Sequence, residues 1–254
     1  MMEFKSFGFS DPGRARDHNE DSYLCNDEER LFLVADGMGG HASGETASQL
    51  AVSSVEEFVI RSRSEDIEWP IEYNKDLSPE QNRLLAAVTL ANRRILELAS
   101  QDDSTKGMGT TLSGVTIEED YLAIVNVGDS RLYRVRNEEI EQITQDHSLV
   151  GEQEREGLLT KEEARQHPNR HILTSALGDI NQKPKIDISR TEIIEKDLYL
   201  LCSDGLYNML EDSEILTNIR SIGDGSLYKI GLSLVLKANL ARGPDNITVV
   251  LLSF

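Results

Sequence analysis

Residues 31–45 read LFLVADGMGGHASGE, and the fold turns on how this stretch is interpreted. Leu31 to Ala35 form an unbroken apolar run, the pattern of a strand buried in a core. The run stops at Asp36 and opens into a glycine-rich turn. Such a turn can cradle a phosphate with its amides, hold a metal through its carboxylate, or simply bend the chain. A phosphate-binding P-loop closes on Gly-Lys-Ser/Thr, and DGMGGHASGE contains no lysine. The dinucleotide fingerprint fits GMGGHASG only loosely, and Asp36 would sit where a phosphate is repelled. A hydrolase working through an aspartyl-phosphate would carry a second Asp two residues on, where this chain has Met38. A metal-holding turn is the reading that survives.

Working outward, DSYLC (21–25), the polar NDEER and LFLVA form the pattern of a β-hairpin, and FKSFGFSD before it reads as a strand. From Gly44 onward Ala47, Leu50, Ala51, Val55, Phe58 and Val59 recur at helical spacing. Residues 64–78 have no period and read as a surface connection. They lead into Ser78, Pro79 and Gln81, a capping-box start to a helix reaching about Ala99. Strands follow in TTLSGVTI, YLAIVNV, RLYRVR and EIEQIT. Residues 146–178 are charged and irregular, with LTKEEARQ as a short helix. IDISRTEI and LYLLC resume the strands, helices span about 212–219 and 226–240, and ITVVLL closes the chain. Short turns between strands and paired helices predict α+β rather than an alternating parallel fold.

The chain of 254 residues carries 45 acidic and 26 basic side chains, a formal charge of −19. That charge repels phosphate backbones and anionic lipid, so neither nucleic acid nor a membrane surface is an expected partner. Hydrophobic content of 39% suffices for a sizeable core. Cys25 and Cys202 lie in apolar runs and read as small hydrophobes of a reducing compartment. Early charges leave no signal-peptide h-region, and no run approaches the ~20 apolar residues of a membrane span, so a cytoplasmic location is expected.

Asp36 is one of four aspartates at the rims of apolar runs; the others are Asp129, Asp204 and Asp245, each with a glycine within two residues. A single such Asp is an ordinary turn residue. Four converging on one sheet edge would raise each other's pKa, a strain that a divalent cation relieves, and an all-oxygen ligand set suits Mg²⁺ or Mn²⁺.

At these residues the chain resembles the PPM-type metal-dependent protein Ser/Thr phosphatases in their compact bacterial form. The resemblance runs through GRARDHNEDS (13–22), VADGMGGHASGETAS (34–48), GMGTTL (107–112), VGDSRLYR (127–134), QDHSLV (145–150), TSALG (174–178), LCSDGLYNML (201–210) and GPDNITVVLL (243–252). It implies a four-layer α–β–β–α sandwich of two antiparallel sheets flanked by helix pairs, one catalytic domain over 1–254, and a flap around 146–178. It also implies two or three Mn²⁺ or Mg²⁺ ions. Asp36 would bridge two of them, with the Gly37 carbonyl on the first and Asp204 and Asp245 on the second; Asp129 and Asp204 would take a third. Glu20 or Asp21 would hold metal-bound waters, and Arg16 would grip the substrate phosphate. The implied partners are phosphorylated proteins, substrates of a Ser/Thr kinase, attacked by an activated water in a monomeric enzyme. The other reading is a catalytically weak binding or regulatory module on the same fold.

One departure concerns the general acid. Eukaryotic members commonly have His directly after Asp-Gly, where this chain has Met38; His41 or a metal-bound water would serve instead, and His41 could equally be a helix cap. Asn246 either orients Asp245 through its side chain or is a plain turn residue. Arg131 either reaches the site or forms a local ion pair. Thr110 and Thr111 read as strand hydroxyls, and His18, His147, His167 and His171 as surface or loop residues.

Overall fold

Side-chain alternation along the strands accounts for the layering. In the computed structural model, which describes residues 3–39, 42–101, 105–223 and 226–254, one sheet contains β1 (Lys5–Asp11), β7 (Arg131–Arg136), β8 (Glu139–Gln142), β10 (Leu198–Cys202) and β11 (Ile247–Ser253) in the order β1-β11-β10-β7-β8. The other contains β2 (Asp21–Asn26), β3 (Leu31–Met38), β5 (Leu112–Glu118), β6 (Tyr121–Val127) and β9 (Asp187–Glu192) in the order β2-β3-β5-β6-β9, with β4 (Gly109–Thr110) pairing to β3. The pairings in both sheets are antiparallel.

Because successive strand residues face opposite ways, β3 serves two cores. Leu31, Leu33 and Ala35 pack under α1 (Ala42–Ser64) and α2 (Pro79–Gln101), while Phe32 and Val34 point between the sheets. The last strand, β11, divides in the same way. Ile247, Val249 and Leu251 meet α6 (Asp212–Ile222) and α7 (Leu227–Leu240); Val250 and Leu252 join Phe32, Tyr199 and Leu201 in the inter-sheet layer. The result is the expected α–β–β–α sandwich with a helix pair on each outer face.

The capping box forms as read. The Gln81 amide donates to Ser78 Oγ at 3.2 Å, and the Ser78 amide to Gln81 Oε1 at 3.0 Å. Residues 65–78 lack regular structure as expected, yet they are not merely surface chain. Trp69 packs edge-on against Phe58, ring centroids 5.5 Å apart, and Ile67 and Ile71 join the same core.

Between β8 and β9 the chain makes two short helices, α3 (Leu149–Arg155) and α4 (Lys161–Gln166). Only α4 is anticipated, within LTKEEARQ; its start is the Thr160–Glu163 capping box. The seven residues of α3 are too few to show a period, and its start is set by Ser148, whose hydroxyl accepts from the Gly151 amide at 3.1 Å. The run TTLSGVTI is broken at Thr111 into β4 and β5, and the short helix α5 (Asp204–Tyr207) follows β10 directly.

Phe32 is fully buried between the sheets and edge-on to Phe4. Phe32→Ala is expected to lower unfolding free energy by about 3–5 kcal/mol in urea titrations. Tyr228→Ala on the exposed side of α7 should cost less than half as much.

Candidate active site

The turn after β3 is held by main-chain contacts that only small residues permit. A Cβ at Gly37 would lie 2.1 Å from the Gly44 carbonyl oxygen and 2.5 Å from that of Glu20, so glycine is required there by close approach. The Glu20 carbonyl accepts from the Gly37 amide at 3.1 Å and from Ser48 Oγ at 2.6 Å. Asp36 is gripped on its other flank: its amide donates to Thr111 Oγ1 at 2.9 Å, and Thr110 Oγ1 donates to its carbonyl at 2.9 Å. The two threonines are thus positioning groups for Asp36, a role their strand context in sequence did not reveal. The β4–β5 break at Thr111 is what turns that hydroxyl toward it.

The remaining carboxylates arrive from separate elements. Asp21 lies opposite Asp36 in the β2–β3 register. Asp129 follows β6 on a turn where Gly128 has φ +94°, and its carbonyl accepts from Tyr207 Oη at 3.0 Å. Asp204 opens α5, and Asp245 precedes β11. Asp36, Asp129, Asp204, Asp245 and Glu20 all line one cavity of about 1100 Å³, together with Arg16, Gly37 and Thr111.

Asp21 does not line that cavity. It is buried behind it, where Oδ2 accepts from Ser203 Oγ at 2.7 Å and Thr248 Oγ1 at 2.6 Å. Those hydroxyls belong to the opposite sheet's end, so one carboxylate ties the two sheets together at the rim. Of the Glu20/Asp21 pair, Glu20 therefore faces the open space.

Asn246 differs from expectation. Its side chain makes no bond to Asp245; Oδ1 accepts from the Glu20 amide at 2.8 Å, and Nδ2 donates to the carbonyls of Pro12 and His18, both at 2.9 Å. It clamps the 12–20 loop, and Asn246 meets Asp245 only through its main-chain amide, at 3.0 Å. His147 differs too. It is fully buried, accepting from the Gly128 amide through Nδ1 at 3.2 Å and facing Asp187 through Nε2 at 2.9 Å, so it braces the Asp129 turn from below. A lone His in a charged segment carries no sequence signal of that depth.

Arg131 resolves as a local pair. It contacts Asp146 at 2.7 Å and lies 3.5 Å over the Tyr207 ring. Arg16 is exposed at the cavity mouth and contacts Asp245 at 2.9 Å. His41 lies outside the described residues.

The crowding of acids has the electrostatic consequence expected of it. Burial first, then the charges of Asp21, Asp204, Asp129 and Asp245, push the Asp36 carboxyl well above the usual range. Burial and the charges of Asp245 and Asp21 raise Asp204 to about 7. Burial and the charges of Asp204 and Asp146 raise Asp129 to about 8. Asp21 rises to about 6, chiefly by burial, with the two hydroxyl bonds pulling the other way. Buried oxygens without a partner remain at Glu20 Oε1, Asp21 Oδ1 and Asp204 Oδ1. Among the described residues no three acidic, His or Cys side chains stand poised to hold one ion as they are; the carboxylates form an open array along the cavity wall.

This architecture recurs among solved phosphatases. The serine/threonine phosphatase PstP/Ppp of Mycobacterium tuberculosis superposes with a TM-score of 0.85 at 33% identity, covering 99% of this chain and 98% of that one. The catalytic domain of PstP in complex with two manganese ions matches at a TM-score of 0.81 and 34% identity, covering 98% and 97%. The serine/threonine phosphatase Stp of Listeria welshimeri is 37% identical over 250 residues, 95% of this chain and 92% of the relative. The chain belongs to the protein phosphatase 2C family, whose sequence model matches residues 14–227. The family resemblance drawn from the eight sequence blocks is borne out.

The raised carboxyl pKa values have a definite sign in stability. Asp21, Asp129 and Asp204 bind protons in the folded state that they release when unfolded, with an ordinary value of 3.8. Their favourable contribution is complete below pH 3.8 and is lost as pH rises through about 6 to 8. In EDTA, Tm is expected to fall between pH 5.5 and 8.5, with a shallower slope in Asp36→Asn. Millimolar Mn²⁺ should raise Tm at pH 8 by about 5 °C or more. A pH slope identical in the variant, together with no cation effect, would contradict the crowded-carboxylate account.

Proposed function

We propose that this chain hydrolyses phosphoserine and phosphothreonine esters of proteins, the products of Ser/Thr kinases, in a single displacement on phosphorus without a phosphoenzyme. The observation that carries the reading is the convergence of Asp36, Asp129, Asp204, Asp245 and Glu20, distant in sequence, on one cavity wall with raised carboxyl pKa values and unpartnered buried oxygens. An oxygen-only, negatively charged donor set of this kind fits Mn²⁺ or Mg²⁺. When bound, two such ions supply a water of lowered pKa, from 15.7 toward about 7, and positive charge for the transferring phosphoryl group.

The chain's own groups divide the remaining work. Asp36 would hold both ions, with the Gly37 carbonyl adding to one and Asp204 and Asp245 to the other; Asp129 and Asp204 would share a third. Glu20, with its free Oε1, would orient water, while Asp21 behind the wall keeps the two sheet ends together. Arg16 stands in for a cation at Asp245 and would turn from that carboxylate to the phosphoryl oxygens, for which a planar guanidinium is suited. Residues 146–178 would form a flap beside the cleft, a role supported by His171, Leu173, Ser175 and Leu177 lining the same cavity.

Hydrolysis of p-nitrophenyl phosphate should require Mn²⁺ or Mg²⁺ and stop with EDTA. Asp36→Asn, Asp204→Asn and Asp245→Asn, made separately, should each lower kcat by roughly 10²-fold or more without loss of fold by circular dichroism. Wild-type turnover in any one would count heavily against the site. Arg16→Ala is expected to raise KM about tenfold with kcat changed only a few-fold, and the opposite split would remove Arg16 from phosphate binding.

A further inference from the structure

A second cavity, of about 390 Å³, opens between α3, α4 and the body of the fold, and it adjoins the first because Asp129 lines both. Its wall gathers Arg131, Arg155, Lys161, Arg165 and Arg170 in a chain whose net charge is −19. Arg131 is matched by Asp146, and Lys161 by Asp212. Among the described residues Arg155, Arg165 and Arg170 pair with no carboxylate. Arg155 donates to the Asp146 carbonyl at 2.8 Å and Arg165 to the Leu210 carbonyl at 3.5 Å, contacts that orient a guanidinium without neutralising it. With Asp146 and Asp212 committed, Glu154 and the shared Asp129 are the acids left on this wall.

Three unmatched guanidiniums at one wall, set against Glu154 and Asp129, leave that wall with a positive charge in excess in a chain of net charge −19. The helices that carry two of them are anchored. The Ser148 cap starts α3, the Thr160–Glu163 box starts α4, and Thr174 Oγ1 donates to Glu152 Oε1 at 2.7 Å, tying α3 to the returning chain. The guanidinium fork matches phosphoryl or carboxylate oxygens bidentately.

We propose that this cavity is a subsite for a second anionic group of the phosphoprotein substrate, a phosphoryl or a carboxylate lying a few residues from the scissile phosphoester. Arg155, Arg165 and Arg170 select substrates that carry it. The inference rests on the phosphatase reading above for the first cavity. An extended peptide advances about 3.3 Å per residue, so a group two to five residues away reaches roughly 7–17 Å from the scissile phosphate, and the two cavities adjoin at Asp129.

The test is a peptide series with one fixed phosphothreonine and a second phosphoserine, glutamate or alanine placed at each of about five positions on either side. In at least one register the second phosphoserine should lower KM about tenfold relative to alanine, and glutamate by a smaller factor. The variant Arg155→Ala/Arg165→Ala/Arg170→Ala should lose that preference while its kcat/KM on p-nitrophenyl phosphate stays within about twofold of wild type. Glutamate matching phosphoserine in full would assign the subsite to acidic sequences rather than doubly phosphorylated ones. Fluorescence anisotropy of the same peptides on Asp36→Asn, with and without the three arginine changes, reads the preference independently of turnover. Absence of preference in every register, or its survival in the triple variant, overturns the subsite. Failure of wild type to hydrolyse p-nitrophenyl phosphate with Mn²⁺ instead overturns the catalytic reading, while the anisotropy still decides the subsite.

Discussion

Two sheets held face to face by Phe32, Val34, Tyr199, Leu201, Val250 and Leu252 leave little freedom in how their edges meet, and the site depends on that constraint. Close packing of these side chains sets the registers of β3, β10 and β11 together. The turn after β3, the start of α5 and Asp245 ahead of β11 then fall at a common rim. Asp21 fastens that rim from inside, accepting from Ser203 beyond β10 and Thr248 on β11 while lying opposite Asp36 on β3. Sheet packing and site geometry are therefore one problem, not two.

Bringing acids to such a rim is unfavourable in isolation, and the protein tolerates it by restraining backbone rather than neutralising charge. Gly37 wedges between the Gly44 and Glu20 carbonyls, Thr110 and Thr111 grip Asp36, Asn246 clamps the 12–20 loop, and His147 braces Gly128. These groups fix where each carboxylate starts from while leaving Glu20 Oε1 and Asp204 Oδ1 unsatisfied. Unpartnered buried oxygens and elevated pKa values are the form in which an electrostatic demand for cations is stored. Arg16 at Asp245 meets part of that demand from the solvent side.

The neighbouring cavity shows the opposite sign of the same physics. There Asp146 and Asp212 are committed to Arg131 and Lys161, and three guanidiniums stand unmatched beside Glu154 and Asp129. Asp129 stands on the wall between the two, so an array that attracts cations and one that attracts anions lie side by side. A substrate bearing two negative groups suits that division.

Local pattern in the chain determined much by itself: the alternating strands, the Ser78–Gln81 capping box, the paired helices, and the four aspartates at the ends of apolar runs. These are legible because period, cap and turn chemistry are properties of neighbours in sequence. Eight short blocks in order were enough to name the family. Tertiary structure alone decided that Asn246 serves the 12–20 loop instead of Asp245, that Glu20 faces the cavity while Asp21 is buried behind it, and that His147 is a core residue. It alone placed three unmatched arginines on one wall and decided where α5 begins, after its cap residue Ser203, which donates to Asp21. Each of these depends on contacts between segments tens to hundreds of residues apart, and a one-dimensional pattern contains no distance between them.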